Sequence, residues 1–357
     1  MEKITVLVLL DRIACFYSLY PFLLFGNTKR FIFTSSPEYC LERDKNKILI
    51  MVRRFIKPDY VDLSLMEGLR KKYRTIAFFH DDAGGGIPRL EVLPYVNLFY
   101  TKALFKDRSL YTRSLYGKEL YSDYYHRHYG VIDDNPREWP ALEDLRQLDK
   151  LRLSWNIGIG DFPREQFRQR AGTLAARIFG IRAARNFYSR KKLPADPLTA
   201  NTGGISVHAR MGLAGRPSIA CQRKLILSRI EGDRRFLTGE TSQRRYNREL
   251  LDSRIVLSPF GWGELCVRDF EAVRAGALLL KPDMDHLETW PDIFIKGETY
   301  ASFSWDGEDL LSTAGAYLDN EKQRRKIIRS AFDAYCSQLE ELPARFETII
   351  AEIKGCN

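Results

Sequence analysis

Four charged side chains crowd into eight positions late in the chain: Glu264, Arg268, Asp269 and Glu271. They follow residues 254–258 (RIVLS), a short apolar run closed by Pro259, the mark of a buried strand. Residues 260–263 (FGWG) then turn the chain. Residues 264–274 set Leu265, Phe270 and Val273 among charges, which predicts a helix closed by Gly276. Residues 277–280 read as a second buried strand, left through Lys281-Pro282-Asp283. The four charged groups cluster on one face of that helix. A strand–turn–helix–strand unit presents its turn and helix N-terminus beyond the strands' carboxyl ends, where open α/β sheets bind ligands. A solvated helix face is the plain alternative.

Two other stretches carry residue types suited to chemistry. His80-Asp81-Asp82 with Gly84, Gly85 and Gly86 leaves an apolar run, and a His with two carboxylates at a strand's end is placed for proton transfer. The glycines permit positive φ and a close backbone approach to a ligand. A flexible loop with solvated acids is the competing reading, and no second acidic cluster completes a metal site. Further on, residues 205–209 (ISVHA) run into Arg210-Met211-Gly212-Leu213-Ala214-Gly215-Arg216, a basic glycine-containing loop that suits a phosphate. Arg223 and Lys224 open the helical stretch behind it.

The elements that position these residues alternate. Residues 3–10, 30–34, 47–52, 75–79 and 96–100 are apolar runs rich in β-branched and aromatic side chains, with helical stretches such as 61–73 between them. This alternation predicts a parallel, doubly wound sheet. No G-x-G-x-x-G follows the first run, which argues against a dinucleotide-binding oxidoreductase. Residues 105–134 are dense in tyrosine, with faces for stacking on sugars or bases, although such tyrosines more often pack half-buried. Residues 164–192 hold nine basic residues against Glu165 alone, interleaved with Leu174, Ile178, Phe179, Ile181 and Phe187. That segment suits an anionic membrane surface, a phosphate backbone, or an ordinary helix packed on its domain. Residues 193–204 have linker composition. Residues 321–354 read as largely helical.

The run Arg268-Asp269-Phe270-Glu271-Ala272…Ala275-Gly276 after Ser258-Pro259 resembles the donor-site signature of GT-B glycosyltransferases. It is especially similar to the glycosyltransferase family 1 and exostosin-like branches, with their S-P-x-G…R-x-x-E-A-x-x-x-G pattern. The resemblance covers about the last 150 residues well and the rest by architecture. It implies two Rossmann-like domains facing across a cleft: residues 1–192 on the acceptor side and 205–330 binding a nucleotide sugar. A helix over 331–357 would cross back to the first domain. Glu271 would hold the ribose hydroxyls, and Arg268 and Arg210 would face the diphosphate. Gly261, Glu264, Asp283, Lys224 and Tyr246, the last a base-binding candidate, complete the donor-side set. His80, Asp81 and Asp82 would serve catalysis or acceptor binding. The familiar retaining pattern has seven residues between two glutamates, whereas Glu264 and Glu271 have six between them. Gly263 stands where the first would be, so neither retention nor inversion is implied.

The expected activity is transfer of a sugar from a nucleotide sugar to a glycan or lipid-linked hydroxyl in surface polysaccharide or glycoconjugate synthesis, without a metal cofactor. The alternative is a catalytically degenerate protein of the same fold serving a polysaccharide or coat assembly. The chain's 357 residues allow two domains, and 45% hydrophobic with 29% charged residues is ordinary for a globular protein. A net charge of +10 favours an anionic partner. No nucleic-acid-reading motif is present, so nucleic acid is not expected. Six scattered cysteines without C-x-x-C suggest reduced thiols and a cytoplasmic protein, peripheral on a membrane's inner face if residues 164–192 bind there. The apolar residues 13–26 are too few to span a bilayer and are expected as a buried helix.

Overall fold

The structure is a computed structural model that describes residues 2–9, 17–27, 29–52, 61–80, 89–117, 119–134, 137–160, 166–187 and 193–356. The candidates Asp81 and Asp82 lie outside the described residues.

The first sheet takes β1 (Ile4–Leu7), β2 (Phe31–Thr34), β3 (Ile48–Val52), β4 (Thr75–His80) and β5 (Leu98–Thr101). Three short strands follow, β6 (Ala103–Phe105), β7 (Leu115–Tyr116) and β8 (Glu138–Trp139), before β9 (Leu151–Leu153) returns to the sheet. The order is β2-β1-β3-β4-β5-β9 and every pairing is parallel. Every residue of β3 and β4 is buried, as helices on both faces of a parallel sheet require. The helices of this half are α1 (Tyr20–Phe25), α2 (Leu63–Lys72), α3 (Leu120–Tyr129) and α4 (Gln166–Phe179).

A second parallel sheet is built from β10 (Ile205–His208), β11 (Phe236–Leu237), β12 (Ser253–Leu257), β13 (Leu278–Pro282) and, after β14 (Leu287–Thr289), β15 (Ala301–Phe303). Its order is β11-β10-β12-β13-β15. Around it lie α5 (Pro197–Ala200), α6 (Pro217–Arg229), α7 (Gln243–Leu251), α8 (Val267–Arg274) and α9 (Leu310–Asp319). The doubly wound α/β class expected from strand–helix alternation therefore occurs twice, as two Rossmann-like domains. In each, the strand order reverses beside the first strand, at β1/β3 and at β10/β12. Ligands of open α/β sheets sit at such reversals, beyond the strands' carboxyl ends.

Two features tie the domains together. Helix α10 runs unbroken from Glu321 to Gly355, about 50 Å at 1.5 Å per residue. Its first turns place Ile327 and Ile328 in the core under β12 and β13. Its last turns place Phe346, Ile350 and Ile353 against Phe22, Phe31 and Tyr100 of the first domain. Residues 103–133 form the second tie. Strand β6 pairs antiparallel with β14, and α3 lies on α6. There Asp133 accepts hydrogen bonds from Ser218 N–H (2.8 Å) and Oγ (3.0 Å), and the Tyr125 hydroxyl donates to Trp305 O (2.6 Å). A single core cluster consequently holds Leu49 and Phe78 together with Phe260 and Phe270. The tyrosines of residues 105–134 mostly serve this packing: Tyr111, Tyr121 and Tyr125 are buried.

Candidate functional site

The carboxyl ends of β10 and β12 carry the site, and a buried ion pair holds its frame. Asp269 and Lys281 are both 0% exposed. The Asp269 carboxylate accepts from Ser258 Oγ (2.6 Å), Cys266 N–H (2.8 Å) and Lys281 Nζ (3.1 Å). One side chain thus joins the end of β12, the start of α8 and strand β13. Burial pushes its carboxyl above the ordinary value, and the Lys281 ammonium with the two neutral donors opposes that rise. At the other end of α8, Gly276 sits at φ +68°, and an added Cβ would meet Pro197 O at 2.0 Å, so only glycine closes the helix here.

The turn between Ser258 and α8 is held from outside. Phe260 N–H donates to Gln222 Oε1 (2.7 Å), and the Tyr121 hydroxyl donates to Gly261 O (2.8 Å). Beside Gly261, Trp262 stands 65% exposed. Glu264 does not lie on the helix face expected for it. The helix begins at Val267, because Asp269 reaches back to cap Cys266, and Glu264 is buried within the turn. Asp269 likewise turns inward and leaves the charged face.

Arg268, Tyr246 and Glu271 meet on that face. Arg268 Nε donates to the Tyr246 hydroxyl (3.1 Å), which donates to Glu271 Oε2 (3.4 Å). The Arg268 guanidinium also lies 5.7 Å from the centre of the Tyr246 ring. On the other side of that ring network, His208 at the end of β10 meets Tyr246 edge-on at 5.0 Å. His208 Nε2 stands 3.4 Å from Glu249 Oε2. Burial, with the Arg268 charge next, pushes the His208 imidazole down to about 4, with Glu249 acting against them. His208 is therefore neutral at pH 7.

Arg210 enters this cluster with its fork already engaged. Its Nε and Nη2 donate to Glu249 Oε2 (3.0 Å) and Oε1 (2.8 Å), and Nη1 donates to Thr238 O. Arg245 Nε adds a bond to the same carboxylate at 2.9 Å. These hydrogen bonds hold the Glu249 carboxyl below its usual range. In this arrangement Arg210 orders the rim, and a diphosphate would have to compete with Glu249 for it.

The remaining candidates fall elsewhere. Lys224 is exposed and lines a groove with Leu213, Asp233 and Phe236 beside β11, away from Arg268. Its neighbour Arg223 turns the other way and donates through Nη1 to Gly212 O (2.6 Å) and Ala214 O (3.2 Å), bracing the loop after β10. Burial lowers the Arg223 guanidinium's pKa, and the Arg268 charge adds to that lowering. Asp283 bonds Lys296 Nζ at 3.0 Å on the β13 side. His80 is buried at the end of β4 between Phe78 and Phe99. His208 and Glu249 were not among the expected site residues. The only local signal was the His-x-Arg ending of the ISVHAR run, since Glu249 meets Arg210 across 39 positions.

A cavity of about 330 Å³ opens beside Glu271, lined by Pro194 and Ala200 before the second sheet, Asn247 and Leu250 of α7, and Arg274 of α8. Among the described residues, no group of three or more His, Cys, Asp or Glu side chains could hold a metal ion.

No protein-family model matches the chain, and no curated protein matches it. Among solved structures, a glycosyltransferase from Rickettsia africae aligns over 100% of both chains at 9% identity, with a TM-score of 0.48. Anabaena HepE in complex with UDP-glucose aligns over 99% of this chain and 100% of its own at 7% identity, TM-score 0.46. The α-glucosyltransferase AGT in complex with UDP gives 7% identity and 0.44 over the same shares. At these scores and identities the likenesses carry no conclusion about ligand or activity.

Proposed function

We propose that this protein is a GT-B glycosyltransferase that moves a sugar from a nucleotide-sugar donor to a hydroxyl of a glycan or lipid-linked acceptor. The observation that carries the reading is the Arg268–Tyr246–Glu271 chain at the N-terminus of α8, at the strand-order reversal of the second sheet. The half-buried Arg268, the helix N-terminus and nearby Arg223 supply positive potential where a diphosphate would leave. Glu271, beside its cavity, supplies the acceptor oxygens that ribose hydroxyls need. Tyr246 sets the spacing between the two, and neutral His208 packs behind it without adding charge.

The acceptor is assigned to the first domain, with a carboxylate of Asp81 or Asp82, or His80, taking the hydroxyl proton. Trp262 offers an exposed indole face on an anchored turn, suited to a sugar ring. Surface polysaccharide or glycoconjugate synthesis at a membrane's inner face is the setting in which such an acceptor is met. Two observations favour the second reading, a binding protein without turnover: Glu249 occupies Arg210, and Gly263 stands in place of a first glutamate.

Incubation with a panel of nucleotide sugars, reading release of nucleoside diphosphate, separates the two. Release that Arg268→Ala lowers at least about a hundredfold supports the enzyme, that being the usual loss of one transition-state charge stabiliser. Binding of a nucleotide sugar with no release under any acceptor mixture supports the binding protein.

A further inference from the structure

Helix α4 is amphipathic the wrong way round for a packed surface helix. Its inward positions are small: Thr173 and Ala176 are buried, with Ala176 in the first-domain core beside Ile181 and Ala184. Its large apolar side chains point to solvent. Phe167 is 79% exposed, Leu174 57%, Ile178 62% and Phe179 78%. Phe167, Leu174 and Ile178 stand at i, i+7 and i+11, a single stripe along the helix, with Phe179 on its flank. Exposed Arg168, Arg170 and Arg177 border that stripe, and exposed Arg182 and Arg185 continue the charge beyond it. No acidic residue occurs from 166 to 187.

We infer that α4 is a docking helix that lays this protein on an anionic lipid bilayer. A helix of 14 residues reaches only about 21 Å, short of the ~30 Å hydrocarbon thickness, so it lies in the interface and does not span. In that plane the apolar stripe enters the acyl boundary while the arginines meet anionic headgroups, which satisfies both halves of the pattern. A nucleic-acid backbone would engage the arginines and leave four large apolar side chains in water. A two-fold partner copy would bury the stripe against itself and set arginine borders of like charge face to face. The bilayer is the one occupant that complements both features. The inference stands on α4 alone, independent of the donor site, and it would bring a lipid-linked acceptor to the protein.

The test is co-sedimentation of the full chain with vesicles of phosphatidylcholine alone or mixed with phosphatidylglycerol, without nucleotide. Its failure therefore leaves the donor site untouched. Wild type is expected on the anionic vesicles, in a salt-sensitive manner, and largely free of the neutral ones. Arg168→Gln with Arg170→Gln should weaken partition about thirtyfold, the loss of two headgroup-facing cations. Phe167→Ser with Ile178→Ser should weaken it at least as far at every salt concentration. Both pairs are exposed, and unchanged circular dichroism confirms folding. Phe167→Trp supplies a second readout: emission that shifts blue on anionic vesicles only. Wild type left in the supernatant, or the apolar double variant binding as tightly as wild type, overturns the inference. So does a concentration-dependent dimer abolished by that variant, which assigns the face to a second copy. Binding to duplex DNA tighter than to anionic vesicles, unchanged in the apolar variant, overturns it in favour of a phosphate backbone.

Discussion

Replacing Asp269 by Asn probes the frame on which the whole site is hung. The asparagine keeps the volume and one acceptor for Cys266 N–H, but it strands the Lys281 ammonium at 0% exposure without a counter-charge. Removing one partner of a buried ion pair costs about 3–5 kcal/mol. Native stabilities are about 5–15 kcal/mol, so the variant should lose a large share of its margin. Lys281→Met should cost a comparable amount, because it leaves the Asp269 carboxylate buried with only Ser258 Oγ and Cys266 N–H as donors. The double variant restores a neutral pair of similar volume. It should therefore be more stable than the sum of the single losses implies, by ~2 kcal/mol or more. Urea unfolding followed by tryptophan fluorescence measures all four proteins. A loss below about 1 kcal/mol for Asp269→Asn, or single losses that simply add, would refute the claim that one ion pair locks β12, α8 and β13 together.

His208 gives a pH signature. Its folded value of about 4 lies below the ordinary 6.5, so as pH falls below 6.5 the unfolded chain takes up a proton that the folded chain refuses. Stability should then fall by at most ~1.4 kcal/mol per pH unit until about 4, and His208→Asn should remove that slope; equal slopes in the two proteins would contradict the burial argument. At 65% exposure, Trp262→Ala should leave unfolding within ~0.5 kcal/mol of wild type. It should raise KM for the acceptor while leaving KM for the donor unchanged; a rise for the donor alone would place the indole at the nucleotide instead.

The parallel sheets were legible because their strands announce themselves. Residues 47–52 and 75–79 became β3 and β4 within a residue at either end, since a strand buried on both faces has to be a continuous apolar run. Helix phase was harder to read. Arg223 and Lys224 are both basic and adjacent, and nothing local says that Arg223 turns toward Arg268 while Lys224 faces the solvent. Glu264 was misplaced because the start of α8 depends on where Asp269 finds a donor, and the charge pattern does not encode that. Long-range pairings were beyond reach. Glu249 claims Arg210 across 39 positions, and β6 pairs with β14 from the other domain, so neither the occupied fork nor the embedding of residues 103–133 leaves a local trace. For α4 the sequence left a membrane surface, a phosphate backbone and a helix packed on its domain all open, because spacing does not say that the small Thr173 and Ala176 face inward while Leu174, Ile178 and Phe179 stay exposed.

Titration calorimetry of nucleoside diphosphates against wild type and Glu271→Ala tests the donor site most directly. Glu271 is buried beside Tyr246 at the edge of the cavity it lines, so unchanged circular dichroism first confirms that the variant folds, and its removal should leave ribose hydroxyls without their acceptor. One nucleoside diphosphate is expected to bind wild type, and the variant to bind it at least about tenfold more weakly, the loss of a charge-assisted hydrogen bond. No binding of any nucleotide to wild type, or equal affinity in the variant, would contradict the assignment of Arg268, Tyr246 and Glu271 as the donor site.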